Sequence, residues 1–175
     1  IVRLKADGEY NLTTVTGSIL NLFNNYFRFK PDKYFETIHD DSYVNIELQV
    51  PKPKIFTDQF LSGVGISRKT ILNTKFNFVN NSVDLNVRSN RVKLNNIKFD
   101  TVNLSITSSN DQLFSEFSIS KIILKDSTPK DSTVFGIDDF SISSRFRNDS
   151  IIYGINWDNR VPNLKNLGDI EGYIS

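Results

Sequence analysis

The sequence predicts an all-β fold: an up-and-down antiparallel sheet, with short helical segments only near the N-terminus. Three observations predict it. Apolar and polar residues alternate with period two along most of the chain, and clusters of Asn, Asp and Ser separate the alternating runs. The composition holds twenty Asn and 14 Phe against a single Ala. Alternation marks strands with one buried and one wet face, and this composition disfavours helix.

The elements follow in order. Val2, Leu4, Ala6, Tyr10 and Leu12 share one phase, while Arg3, Lys5, Asp7, Glu9 and Asn11 take the other, which predicts a half-buried strand. Ser18 then reads as the N-cap of a short helix through Ile19, Leu20, Phe23 and Tyr26/Phe27. Pro31 suits the first turn of a second one, through Tyr34, Phe35 and Ile38, to form a helical corner. Val44, Ile46, Leu48 and Val50 alternate with Tyr43, Asn45, Glu47 and Gln49 until Pro51 and Pro53 end that strand. A helical turn is expected over residues 56–61, before Gly63 and Gly65.

Hairpins dominate the remainder. Leu72, Thr74, Phe76 and Phe78 run into Asn80-Asn81, and Val83, Leu85 and Val87 return. Val92 and Leu94, then Asn95-Asn96, then Ile97, Phe99, Val102, Leu104 and Ile106 read as a further pair or as one long bulged strand. Ser108-Ser109-Asn110-Asp111 turns the chain into Leu113, Phe117 and Ile119, after which the phase slips at Ile122 and Leu124 as a bulge or bend requires. A loop at 126–130 precedes the cleanest pair, Phe140, Ile142 and Phe146 returning as Ile151, Tyr153, Ile155 and Trp157. The tail from Asn159 reads as a polar loop around Pro162 with a last strand from Ile170 to Ile174, about nine strands in all.

The 175 residues fit one domain, divided as 1–41 (strand and helical corner) and 42–175 (antiparallel meander). The chain opens on Ile1 and contains no Met, which reads as an interior segment of a longer protein. Its 21 Lys+Arg balance 20 Asp+Glu, so the basic excess of a nucleic-acid binder is missing. No run approaches the roughly 18 apolar residues of a membrane span, so a membrane is expected only through parts of the parent outside this segment.

Chemistry has little foothold. There is no Cys and one His, His39, beside Asp40 and Asp41. Adjacent residues rarely converge on a metal, so these read as a polar turn. A serine triad would need the same His39, and no G-x-S-x-G elbow occurs. Asp138 and Asp139 are strand neighbours pointing to opposite faces, and Gly63-x-Gly65 lacks the third glycine of a phosphate loop. No enzyme, no cofactor and no metal are expected. Four N-x-S/T sequons, including Asn148-Asp149-Ser150, are ordinary in so Asn- and Ser-rich a chain.

About nine strands, each with one strongly apolar face, must hide those faces by curling, by pairing sheets or by accommodating a ligand. A face of Phe, Leu, Ile and Val has no directional hydrogen-bonding preference and suits acyl chains, each methylene moved out of water contributing roughly 0.8 kcal/mol. The candidate lining is Phe76, Phe78, Val83, Leu85, Phe99, Leu104, Ile106, Phe117, Phe140, Ile142, Ile155 and Trp157. The alternatives are a closed β-sandwich acting through its loops, or a structural segment that recruits clients by strand-edge pairing.

The order of segments resembles the AsmA-like superfamily, in particular the TamB-type envelope proteins of Bacteroidetes. The resemblance is carried by Ala6-Asp7-Gly8-Glu9-Tyr10, Tyr43-Val44-Asn45-Ile46-Glu47-Leu48, Phe60-Leu61, Ile66-Ser67, the Leu72–Phe78 strand and the closing hairpin from Phe140 to Asn159. It implies a sheet folded lengthwise like a taco, with an apolar interior, in the periplasm. The parent would be anchored in the inner membrane and support phospholipid transport to the outer membrane and outer-membrane biogenesis. Phospholipid acyl chains, and through the parent chain an outer-membrane barrel assembly protein, are the implied partners. The resemblance supplies no catalytic motif.

Overall fold

The computed structural model describes residues 2–27, 42–60, 63–67, 69–109, 111–124, 135–147, 150–161 and 164–174. Its elements are β1 (Arg3–Glu9), α1 (Val15–Phe27), β2 (Tyr43–Gln49), α2 (Pro53–Phe60), β3 (Val64–Ile66), β4 (Ile71–Asn77), β5 (Ser82–Leu94), β6 (Ile97–Ser109), β7 (Gln112–Leu124), β8 (Phe135–Arg147), β9 (Ser150–Val161) and β10 (Leu164–Ile174). The strands form a single open, curled antiparallel sheet in the order β1-β2-β4-β5-β6-β7-β8-β9-β10, with β3 beside the far half of β5. A closed two-sheet sandwich is therefore not the architecture of the described residues. From β4 onward the path follows the chain, each strand antiparallel to the next, and short turns join β4 to β5, β5 to β6 and β6 to β7.

Asparagine and aspartate make those turns. Asn81, Asn95 and Asp111 adopt φ of 50°, 52° and 59°, left-handed conformations that short polar side chains tolerate. Asn95-Asn96 thus separates two paired strands rather than bulging one.

Helix α1 carries Val15, Ile19, Leu22, Phe23, Tyr26 and Phe27 along one stripe, the spacing of an amphipathic helix. That stripe packs on the apolar face of the sheet at Val44, Phe76, Val83, Leu113 and Phe146. Phe27 meets Phe146 edge-on at 4.9 Å, Phe23 meets Phe76 edge-on at 6.2 Å, and the Tyr26 hydroxyl donates to the Asn81 carbonyl at 2.8 Å.

Four expectations change. Helix α1 begins at Val15, not after Ser18: the Asn11 side chain accepts the Thr13 N–H, the Asn11 carbonyl accepts those of Thr14 and Val15, and Ser18 lies buried inside the helix. The second helix runs over Pro53–Phe60, several residues earlier than the expected turn. β1 forms as expected but is exposed along its length, because it is an edge strand with β2 as its only neighbour among the described residues. The last strand forms over Ile170–Ile174 as expected but starts earlier: the polar loop before it is the end of β9 and the first half of an eleven-residue strand, β10, paired along its full length with β9. The segment around Pro31, His39-Asp40-Asp41 and the 126–130 loop lie outside the described residues.

The phase slip at Ile122 has a counterpart in three other strands. Pairing skips one row, Asn90-Thr101-Ser120-Asp139, across β5, β6, β7 and β8. Thr101 and Asp139, in alternate strands of that row, have φ of 51° and 47°. The next row alternates in charge, Arg91-Asp100-Lys121-Asp138, with Nε to Oδ1 at 2.8 Å in the first pair and Nζ to Oδ1 at 3.7 Å in the last. These pairs are partly exposed, and each contributes at most about 1 kcal/mol.

Candidate apolar conduit

Side chains of directly opposed residues in a sheet stand on the same face, so the strand register decides whether separate apolar phases join. Here they do. Leu4, Leu48, Leu72, Val87, Leu104, Phe117, Ile142, Ile155 and Ile170 form one row, each opposite the next, on nine adjacent strands. At about 4.8 Å per strand, the row extends for about 38 Å without a polar side chain. None of its members is buried: Leu4 and Ile170 are exposed and the others half-buried.

The neighbouring row, Ala6, Ile46, Thr74, Leu85, Ile106, Ser115, Ser144, Tyr153 and Gly172, is apolar with polar interruptions. Ser115 and Ser144 hydrogen-bond to each other at 2.6 Å. Thr74 is buried and its hydroxyl has no hydrogen-bond partner. Ser89, on the other side of the middle row, is consumed by Thr70 at 2.7 Å and the Arg91 carbonyl at 3.1 Å. Where hydroxyls reach this face they are mostly tied to the protein itself.

At the β10 edge the lining acquires two rings. Tyr153 lies over Gly172 and Trp157 over Gly168, so close that a Cβ at either glycine would occupy the space of the ring. At the opposite end of the strands, α1 covers the face.

The twelve predicted lining residues divide accordingly. Leu104, Phe117, Ile142 and Ile155 lie in the middle row, with Leu85 and Ile106 beside it. Phe76, Phe78 and Val83 sit at the end covered by α1, where they pack with the helix instead of lining open space. Phe140, opposite Ile119, is one row beyond the middle, and Trp157 stands over the edge glycine. Phe99 is across the skipped row, opposite Val92 and Ile122. Sequence reasoning left out Leu4, Leu48, Leu72 and Val87, whose alternation carried the same signal, and Ile170, whose strand reads as mostly polar.

The opposite face is polar. It holds a shallow hollow of about 390 Å³ lined by Ser105, Glu116, Ser143 and Arg145, among others, with the Arg145 guanidinium 5.1 Å from the centre of the Phe114 ring. Lys121 Nζ lies 3.7 Å from Asp138 Oδ1, and Asp139 is exposed. Among the described residues no three His, Asp or Glu side chains gather as a metal site, and no helix is long and apolar enough to cross a membrane. No family model, curated protein or solved structure matches the chain.

Proposed function

We propose that this chain is a non-enzymatic lipid-binding and lipid-conducting segment of an AsmA-like envelope protein, placed in the periplasm and serving phospholipid transport to the outer membrane. The reading rests on one observation, the row of nine apolar side chains from Leu4 to Ile170, uninterrupted and unburied. A hydrocarbon chain laid along that row exchanges water for side-chain contact, and each methylene gains roughly 0.8 kcal/mol. With no polar anchor in the row, a tail is held with little preference for position, which favours sliding over fixed binding. Headgroups remain in water.

Mass spectrometry of the purified chain tests this reading, with co-purified phospholipid as the expected result. Leu104→Asp places a carboxylate in the middle of the row and should abolish the lipid signal while the far-ultraviolet circular dichroism stays that of a β-sheet. Lipid retained at the original level by that variant would remove the row from the mechanism.

A further inference from the structure

Beyond the skipped row, the sheet arranges its cations in two ways. In the row Arg91-Asp100-Lys121-Asp138 every positive side chain stands beside a negative one. Two residues further along β5, on the same face, Lys93 is directly opposite Lys98, and the row continues with Ile123 and Gly136. Among the described residues, no carboxylate lies within ion-pair distance of either lysine. Like charges opposed on neighbouring strands repel and weaken the pairing. The chain alternates charge in one row and tolerates repulsion in the other.

Lys93 lines a cleft of about 950 Å³ between α2, β3 and the β5–β6 turn, together with Lys54 of α2 and with Asn95 and Asn96 of the turn. Gly63, at φ of 80°, accepts the Asn95 N–H at its carbonyl at 2.9 Å. A Cβ there would stand 2.7 Å from the Asn95 carboxamide oxygen, so glycine lets the chain approach the turn this closely. Gly65, opposite Lys93, leaves the space beside the lysine stem open: a Cβ there would meet only Lys93 Cβ, at 3.5 Å. Acid is sparse. Asp58 is the one carboxylate among the described lining residues, and although it follows Lys54 by one helical turn it is beyond ion-pair distance of it.

We infer that this cleft binds a phosphate group, held by the ammonium groups of Lys54, Lys93 and Lys98, with the carboxamides of Asn95 and Asn96 as further donors. Ammonium and amide N–H groups match the negative charge and the several acceptor oxygens of phosphate. A phosphate between the opposed lysines turns their repulsion into shared attraction. Its source is either a soluble phosphate ester or a phospholipid headgroup. The cleft lies outside the nine-residue apolar row, so the inference does not depend on what that row carries.

Urea denaturation of the chain with and without sodium phosphate, at matched ionic strength, tests it. Phosphate should raise the midpoint of the wild type, because a ligand that binds only the folded chain stabilises it. Lys98→Gln and Lys93→Gln should each raise the midpoint in the absence of phosphate, by removing the repulsion, and should cancel most of the response to it. Damage to the fold lowers the midpoint and does not imitate that pair of results. Gly65→Leu keeps every charge but fills the cleft, and should also cancel the response.

Titration calorimetry separates the two sources. A soluble ester predicts that glycerol 3-phosphate binds at least as tightly as dihexanoyl phosphatidylglycerol kept below its micelle concentration. A headgroup predicts that the lipid binds about tenfold more tightly or better, with the advantage lost in Lys98→Gln. A wild type whose midpoint is indifferent to phosphate, or a response that persists undiminished in the lysine variants or in Gly65→Leu, would overturn the inference.

Discussion

Trp157 and Tyr153 lie against the neighbouring strand because Gly168 and Gly172 offer no side chain there. The pairing of ring and glycine covers backbone that glycine leaves bare, and it gives a terminal strand an apolar surface without apolar residues of its own. Gly168→Ala places a methyl group where the indole sits. The indole must lift, which should cost about 1–3 kcal/mol in urea denaturation, the usual cost of overfilling a packed site. Because Trp157 is the only tryptophan, its emission should move to longer wavelength in the same variant. An unchanged spectrum and midpoint would mean that the ring does not need the glycine. The sequence does not reveal this contact, since it joins β9 to β10 through a register that local pattern cannot supply.

Among the elements, α1 has the largest effect on the site, since it determines which part of the apolar face is core. Leu22, 1% exposed, sits at the centre of the contact between helix and sheet. Leu22→Ala should lower stability by about 2–5 kcal/mol, measured by urea denaturation, with the helical contribution to circular dichroism lost before the sheet unfolds. The strands were largely legible beforehand. Asn81, Asn95 and Asp111 fall where the alternating runs break, and each supplies the left-handed residue that its turn needs. Two elements were not legible. The start of α1 is set by Asn11, seven residues before the serine that resembles a cap, and the first half of β10, ahead of the strand expected from Ile170 to Ile174, contains polar residues that become strand only because β9 pairs with them. Tertiary pairing outweighed local propensity in the second case.

At the scale of the molecule, a single sheet has much surface for its mass. The chain exposes 12722 Å², about half as much again as the roughly 8,700 Å² of a compact monomer of 20.0 kDa. Part of the excess is the apolar face beyond α1. A polarity-sensitive dye should therefore fluoresce with the native chain in plain buffer, and phospholipid should compete it away. Dye binding that begins only on loosening with denaturant would indicate a closed core. Alternation identifies which residues of a strand share a face. It is silent on how far each strand is displaced against the next, and that displacement decided whether Leu104 would meet Phe117 or Ser115. The lining was therefore foreseeable as a set of residues, while its continuity was not.

The skipped row divides the sheet. Register pairing is continuous on both sides of one row that it skips in line through four neighbouring strands, with Thr101 and Asp139 at φ of 51° and 47° in that row. Such a line is a crease. The panel that carries Val92, Phe99 and Ile122 lies beyond it, set off from the nine-residue apolar row without interruption of any hairpin.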